Sequence, residues 1–527
     1  MAEIVIFSDI NASLGHSRYA GAYRIASELR ENGFDVQVID FFASFDLNTI
    51  ISLLETHVDR STLFVGFSAT IWTKYKSDEE LYQDYIRNDR SIPNIIIDGM
   101  TPVFPHPEEE VRLIFSTIHK KNSKTKIVVG GFKATNYETS DVDYWILGQG
   151  EKSIVALANY LKYGTELKAL ETEQGKIITD RMYPYSKFSQ SKIVWHENDF
   201  LFPRENVPIE FARGCIYKCS FCAFNLNGKK FGDYTKLKRT FQEELITNYE
   251  NFGLTEYMIV DDTLIDSRQK FEFLYETLSE LPFNITFSAY SRLEPLLSNP
   301  EIIPLMRDIG LRSVEFGIES MNKKTGQYIG KLGDRNKIAD GLNLLKSIWK
   351  DDVYMAAGYI IGLPFETKQS MRETFDWLYS NDNPLDGIQM TKFWMERPPF
   401  LPAELGDRYD LESAGFNLTP RGWVYENVSK IHNNPEYYGF TQGVTEPKWK
   451  NINMTQDEAM DLENEFYTNP NARQKHSAST FVLYNRMKNI GYAHHEIGKL
   501  YHDDNEFLKE AFRRRANLKQ EYLNKLL

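Results

Sequence analysis

The sequence predicts an α/β chain in three parts: an N-terminal open parallel sheet of Rossmann-like type, a central partial (β/α)6 TIM barrel and a mostly helical C-terminal cap. Three observations predict it. Short apolar runs alternate with helical patterns twice, once before residue 165 and again from Val207 onward. A stretch of scattered turn and charged residues without periodicity separates the two series. After Arg397, Pro398, Pro399 and Pro402 break the alternation, and helical patterns take over. The expected boundaries are 1–165 for the first domain, 166–206 for a linker, 207–396 for the barrel and 397–527 for a C-terminal accessory domain.

In the first series Glu3–Ser8, Phe34–Asp40, Leu63–Ser68, Lys126–Gly130 and Val142–Leu147 read as strands. Tyr19–Asn32 reads as a helix, with apolar residues near i, i+3 and i+4 and Gly33 as its stop, and Glu151–Leu161 begins another. Strands joined through helices make right-handed βαβ units and a parallel sheet. The polar and aromatic stretch from Thr70 to Pro107 reads as an insertion at a strand's C-terminal end, the edge where such sheets place ligands. In the second series the strands are Val207–Ala212, Glu256–Val260, Asn284–Ala289, Ser313–Gly317, Tyr354–Ile361 and Gly387–Phe393. Thr240–Phe252, Arg268–Leu281, Asn299–Ile309, Lys337–Trp349 and Ser370–Ser380 supply helices between them. Six βα repeats suit a partial barrel whose site lies at the strands' C-terminal ends. Helices are expected at Gln456–Phe466, Thr480–Met487 and Asn505–Leu526, and Trp394, Trp423 and Tyr437 are expected to cap the barrel.

Composition narrows the function. Hydrophobic residues make up 42% and charged residues 26%, as in a folded protein rather than a disordered one. A net charge of −13 argues against a nucleic-acid partner, leaving a small molecule or peptide as the expected substrate. No apolar run is long enough to span a membrane and the N-terminus reads as a strand, so the expected location is the cytoplasm. The chain has three cysteines, an odd number, all in one stretch: Arg213-Gly-Cys-Ile-Tyr-Lys-Cys-Ser-Phe-Cys-Ala-Phe224.

The spacing C-x3-C-x2-C follows a strand directly, which places Cys215, Cys219 and Cys222 in a loop at its C-terminal end. Thiolates are the usual ligands of iron–sulfur clusters, and three of them on a four-iron cube leave one iron open to a small molecule. A zinc site is the other reading. It needs a fourth ligand, and no histidine falls between His196 and His432. A third reading, three inert core residues, sits poorly with Gly214, Lys218 and their polar neighbours.

From Val207 to Trp394 the chain resembles the radical S-adenosylmethionine (SAM) superfamily. The resemblance implies a [4Fe–4S] cluster on the three cysteines and SAM on its open iron. Phe221, before the last cysteine, is then the aromatic beside the adenine. Ile259-Val-Asp-Asp-Thr263 stands where relatives have a Gly-Gly-Glu-like motif, so Asp261 and Asp262 are candidates for the methionine ammonium, although they match in position only. Glu315-Phe-Gly-Ile-Glu-Ser320 is similar to the fourth-strand motif, which implies SAM contacts for Glu319 and Ser320. Gly358-Tyr-Ile-Ile-Gly-Leu-Pro-Phe-Glu366 resembles a Gly-x-Ile-x-Gly element, so Gly358, Ile360 and Gly362 are expected to line the adenine; Phe365 replaces a usual glycine. Arg292, after Phe287-Ser-Ala-Tyr290, is a candidate partner for the SAM carboxylate. The family chemistry is reductive cleavage of SAM to a 5′-deoxyadenosyl radical, with the electron drawn from an external flavodoxin- or ferredoxin-type reductant.

The first domain resembles the Rossmann-like cobalamin (B12)-binding-type domains of one radical SAM subgroup. The matching stretches are Gly21-Ala-Tyr-Arg-Ile-Ala-Ser-Glu-Leu-Arg-Glu-Asn-Gly-Phe-Asp35, Val128-Val-Gly-Gly131 and Asp141-Val-Asp-Tyr-Trp-Ile-Leu-Gly-Gln-Gly-Glu151. Gly130 and Gly131 are the expected cofactor-approach residues there. The Asp-x-His-x-x-Gly motif that supplies an axial histidine is absent, and His16 lacks the preceding aspartate. The resemblance implies a cobalamin-dependent methyltransferase acting on an unactivated centre. The alternatives are a cobalamin-independent radical SAM enzyme of cyclisation, rearrangement or dehydrogenation, and a non-catalytic metal-binding scaffold. With no cysteines left for a second cluster, sulfur insertion is not expected.

Overall fold

The computed structural model describes residues 2–8, 17–42, 45–68, 73–75, 102–105, 108–131, 141–172, 175–184, 188–222, 228–230, 232, 234–393, 423–425, 449–469, 481–497 and 505–527. The first series folds as β1 (Ile4–Phe7), α1 (Ala20–Glu31), β2 (Val36–Ile39), α2 (Leu47–His57), β3 (Phe64–Ser68), β4 (Thr73–Tyr75), β5 (Pro102–Pro105), α3 (Glu108–Lys121), β6 (Lys126–Gly130), β7 (Tyr144–Leu147), α4 (Gly150–Tyr163), β8 (Leu170–Thr172) and β9 (Gly175–Thr179). All four residues of β1 are buried, as are those of β2 and β7, because helices cover both faces of a parallel sheet. The sheet order is β2-β1-β3-β6-β7-β9-β8. Every pair through β9 is parallel, and β8 closes the edge antiparallel. In its first five strands this is a doubly wound order whose direction reverses between β1 and β3, and a crevice opens beyond the strand ends at such a reversal.

The expected linker is different in the structure. Its first part is the β8–β9 hairpin, which extends the sheet and buries Ile177 and Ile178. A three-residue strand paired with one of five carries too short a pattern to read from sequence. The rest lies back on α1: Arg24 Nη1 donates to Lys192 O (2.6 Å), and Arg30 pairs with Asp199 (2.8 Å). Within the expected insertion, β4 and β5 form an antiparallel pair.

The second series gives β10 (Val207–Ile209), α5 (Lys238–Phe252), β11 (Glu256–Ile259), α6 (Arg268–Ser279), β12 (Thr286–Ser291), α7 (Glu294–Ser298), α8 (Ile302–Asp308), β13 (Leu311–Glu319), α9 (Lys323–Ile329), α10 (Arg335–Trp349), β14 (Tyr354–Ile361), α11 (Lys368–Tyr379) and β15 (Gly387–Lys392). These six strands are parallel and lie in chain order, β10 to β15. Side chains from both sheets, among them Ile4, Val128, Val207 and Phe211, join in one apolar core through Trp195.

The C-terminal helices do not act as one cap. After β16 (Trp423–Tyr425) and β17 (Trp449–Asn451), α12 (Gln456–Thr468) flanks β15, where Tyr467 Oη donates to Met390 O at 2.8 Å. Helix α13 (Phe481–Asn489) packs toward the beginnings of the second sheet's strands: Asn485 accepts from Ser288 Oγ (2.6 Å), and Lys488 pairs with Glu256 (2.7 Å). After α14 (His494–Ile497), α15 (Asn505–Leu526) returns to the first sheet, where Tyr522 is fully buried beside Phe41 and Phe45. Trp394, Tyr437 and the Trp423 side chain lie outside the described residues, as does His16.

Candidate active site

The cysteine loop leaves β10 and is clamped on three sides. Asp261 Oδ1 accepts from the backbone N–H groups of Phe211 and Ala212, both at 2.8 Å. Arg213 N donates to Tyr234 O (2.8 Å) and Lys229 N to Cys215 O (3.0 Å), so the returning chain braces the loop. Ser220 N donates to Ile329 O (3.2 Å), which seats the loop on the end of α9. None of the three cysteines forms a disulfide, and all are partly exposed. Burial pushes the Cys215 thiol up to about 11. Among the described residues, no three His, Cys, Asp or Glu side chains converge tightly enough for a single metal ion. A four-iron cube is wider than one ion and holds its thiolates further apart.

Several expected SAM contacts are employed otherwise. Asp261 is fully buried and faces Lys270 Nζ at 3.3 Å while holding the strand end. Arg292 stacks on Tyr217 (3.8 Å to the ring centroid) and donates to Gly330 O (2.7 Å) and Cys219 Sγ (3.1 Å), with Glu294 on its other side (2.9 Å). It is a cation at a thiol. Ser320 Oγ donates to Glu366 and accepts from Asn322 N (3.0 Å), which engages the hydroxyl within the fold. Gly362 does not present an open face: a Cβ there would lie 2.2 Å from Trp449 Cη2.

Asp262 lies at the cysteine loop, and Glu319 reaches it through Lys331. Asp262 accepts a backbone hydrogen bond from Gly214, and burial raises its carboxyl above the usual range. Glu319 ends β13 in a left-handed conformation (φ 67°), 3.4 Å from Lys331 Nζ, and burial likewise raises its carboxyl. Lys331 lies 6.0 Å from the Phe221 ring centroid. Gly358 stands opposite Gly317 in register, and Ile360, two residues on along β14, is partly buried.

A second feature adjoins this loop. A cavity of about 510 Å³ opens beyond the ends of β1, β3 and β6, at the reversal of strand order. Its floor includes Ser8, Ser68, Gly130 and Gly131, and Glu210 and Arg213 from the cysteine strand form one wall. Arg213 is held by Glu210 (2.8 Å) and by Glu151 at the start of α4 (2.7 Å). Burial works to lower the pKa of this guanidinium, but the two carboxylates outweigh it and hold the charge firmly. One side chain thus links the cavity to the cysteines.

Residues 209–378, about a third of the chain, are what the radical SAM superfamily model matches. The chain is 26% identical over 288 residues to an uncharacterized methyltransferase of Pyrococcus horikoshii, covering 51% of the chain and 61% of the relative. It is 24% identical over 393 residues to the anaerobic magnesium-protoporphyrin IX monomethyl ester cyclase of Rubrivivax gelatinosus, covering 67% of the chain and 66% of the relative. The matches therefore span less than two thirds of these relatives' length. Among solved structures, the radical SAM methyltransferase TsrM from Kitasatospora setae, with cobalamin and a [4Fe–4S] cluster bound, shares the fold. Its TM-score is 0.60 at 14% identity, over 98% of this chain and all of that one. The cobalamin-dependent enzyme OxsB with aqua-cobalamin gives 0.51 at 16% identity, over 78% of this chain and 56% of that one.

Sequence reasoning missed the roles of Glu210, Arg213 and Glu151. Arg213 and Glu151 both stand in the stretches that carry the resemblance, but their pairing spans 62 positions and only the fold reveals it.

Proposed function

We propose that this protein is a cobalamin-dependent radical SAM methyltransferase acting on an unactivated centre of a small molecule or peptide. The observation that carries the reading is the cavity at the strand-order reversal, walled by the residue that leads into the cysteine loop. Its volume falls within the ~300–1,000 Å³ of cofactor pockets. The glycines around it, Gly21, Gly66, Gly130, Gly131, Gly148 and Gly150, allow backbone to approach a large flat ring. The four nearest charged groups, Arg24, Glu151, Glu210 and Arg213, offer donors and acceptors for a rim of amides.

Cys215, Cys219 and Cys222 would hold the [4Fe–4S] cluster, with Arg292 offsetting the charge at Cys219. Asp262 and Glu319 would accept from the SAM ammonium and hydroxyls, and Phe221, Gly358 and Ile360 would flank its adenine. Gly130 and Gly131 would lie against the cobalamin. When bound, the cluster and cobalamin supply one-electron reduction and methyl transfer. The chain's share is to bind, orient and exclude water. Asp261 fixes the strand from which the cysteines hang, and Arg213 sets the distance between the two cofactor sites.

The test is anaerobic reconstitution of the whole chain with iron, sulfide and hydroxocobalamin, followed by iron and cobalt analysis and SAM turnover. We expect ~4 irons and one cobalamin per chain, with 5′-deoxyadenosine and S-adenosylhomocysteine formed once substrate is supplied. Replacing any one cysteine by alanine should abolish iron binding and SAM cleavage. A chain that binds iron but retains no cobalamin would move the protein to the cobalamin-independent reading.

A further inference from the structure

Arg292 is the first residue beyond β12 and Glu294 opens α7, so a cation and an anion stand two positions apart at the strand's C-terminal end. The carboxylate takes the guanidinium with both oxygens: Glu294 Oε1 accepts from Nη2 at 2.9 Å and Oε2 from Nε at 3.3 Å. Nη2 also donates to Gly330 O (2.7 Å), and Leu332 N donates to Glu294 Oε1 (3.0 Å). The pair therefore clasps the turn after α9. The cysteine loop rests on that same turn, since a Cβ on Gly330 would lie only 3.8 Å from Cys219 Cα. Tyr217 covers the guanidinium from the loop side, its ring centroid 3.8 Å from Cζ, and its hydroxyl donates to Asp266 O at 2.8 Å. Held in this way, Arg292 brings Nη1 to Cys219 Sγ at 3.1 Å.

A clasp on a carbonyl and an amide needs no charge, yet a guanidinium is buried here. Arg292 is 6% exposed, and burial works against its charge; Glu294 and the Cys219 sulfur outweigh that effect. The cationic donor also distinguishes one sulfur from another. Cys215 Sγ accepts from the backbone N–H of Tyr217 (3.4 Å), an uncharged donor. Hydrogen bonds to the sulfurs and the net charge around them set the potential of an iron–sulfur cluster. A cation that donates to a thiolate favours the reduced state, because part of the added electron density falls on that sulfur. A carboxylate behind the cation opposes it. Both effects are larger where water is excluded than on an exposed surface.

We propose that Arg292 and Glu294 set the reduction potential of the cluster through the Cys219 thiolate, Arg292 raising it and Glu294 holding it down. The proposal rests on the reading of the three cysteines as cluster ligands. On reduction the cluster gains one electron from an external one-electron donor, which is oxidised by one. The guanidinium keeps its protons, and no bond forms or breaks. Arg292 is then a positioning residue that acts through a sulfur, and a direct contact with SAM would give a different result.

The test is a mediated redox titration of the anaerobically reconstituted full chain without SAM, followed by electron paramagnetic resonance. Arg292→Gln removes the cation and retains an amide donor. Its cluster should reduce about tenfold less readily, a fall of ~59 mV for one electron, with iron content unchanged. Arg292→Lys, which keeps the charge, should recover part of that fall. Glu294→Gln keeps an acceptor for Leu332 N and removes the counter-charge, so its potential should rise. Opposite signs are decisive, because loss of the clasp alone would disturb both variants alike. An unchanged potential in Arg292→Gln overturns the proposal, as do shifts of the same sign in it and Glu294→Gln. So does an Arg292→Gln chain with the wild-type potential and a lost calorimetric affinity for SAM, which would give Arg292 to the SAM carboxylate. If Arg292→Gln retains no iron, Glu294→Gln decides alone, and a potential that does not rise overturns the proposal. A wild-type chain with no reducible cluster would instead sink the reading of the cysteines.

Discussion

A carboxylate at a strand's end looks the same in sequence whether it receives a ligand or ties down its own backbone. Asp261 and Asp262 are neighbours in different surroundings: one is buried on Phe211, Ala212 and Lys270, the other lies at Gly214 in the cysteine loop. Their alanine variants should therefore differ. Asp262→Ala and Glu319→Ala should each weaken SAM binding by ~1.5–3 kcal/mol, the worth of a charge-assisted hydrogen bond, with iron content unchanged. Asp261→Ala should instead lower iron content, because two backbone donors at the root of the loop lose their acceptor. Calorimetric SAM titration beside an iron assay separates the cases, and equal SAM affinities in all three variants would remove Asp262 and Glu319 from the site. Gly362 gives a second contrast. Its φ of 93° and the Trp449 ring against it make Gly362→Ala destabilising by ~1–3 kcal/mol. Adding Trp449→Phe should recover part of the melting temperature, and no recovery would show that the ring is not the obstacle.

At the scale of elements, what the sequence made legible was what repeats. The strands of the second sheet alternate with helices at regular spacing, and all six appear within a few residues of their expected limits. The cysteine spacing was equally legible, since no other thiols compete with it. The β8–β9 hairpin was not, because Leu170–Thr172 has neither the length nor the burial to make a pattern. The destination of the C-terminal helices was not legible either. Their amphipathic faces show that each packs on something, and contact with a sheet hundreds of residues earlier leaves no local mark. Helix α15 is the clearest case. His57, at the end of α2, donates from Nε2 to Leu526 O (2.9 Å), and burial holds its imidazole below the usual range. The native state thus binds this proton less readily than the unfolded chain. The stabilisation is full above the unfolded value of ~6.5 and is lost as pH falls through it. Hydrogen-exchange protection factors of residues 515–526, corrected for the intrinsic rate at each pH, should fall between pH 7.5 and 5.5, and His57→Gln should flatten that response. Protection factors in the wild type that ignore pH would exclude His57 as the cause.

On the scale of the whole molecule, two sheets share one core and the chain's last helix lies against its first sheet. Tyr522 Oη accepts from Asp40 N (3.0 Å), and its ring lies among Phe41, Phe45, Phe200 and Phe202. A ribosome makes this tyrosine 482 residues after Asp40. Domains generally fold as units during synthesis, N-terminal first, but this one waits for its lid until those residues have been added. Throughout that interval Phe41 and Phe45 lack the Tyr522 ring, and exposed aromatic surface of this kind recruits chaperones and proteases. Stalled nascent chains that display residues 1–500 should therefore be nicked readily in the first domain, and chains that also display α15 should resist. Equal resistance in both would mean that the first sheet closes without its latest-made partner.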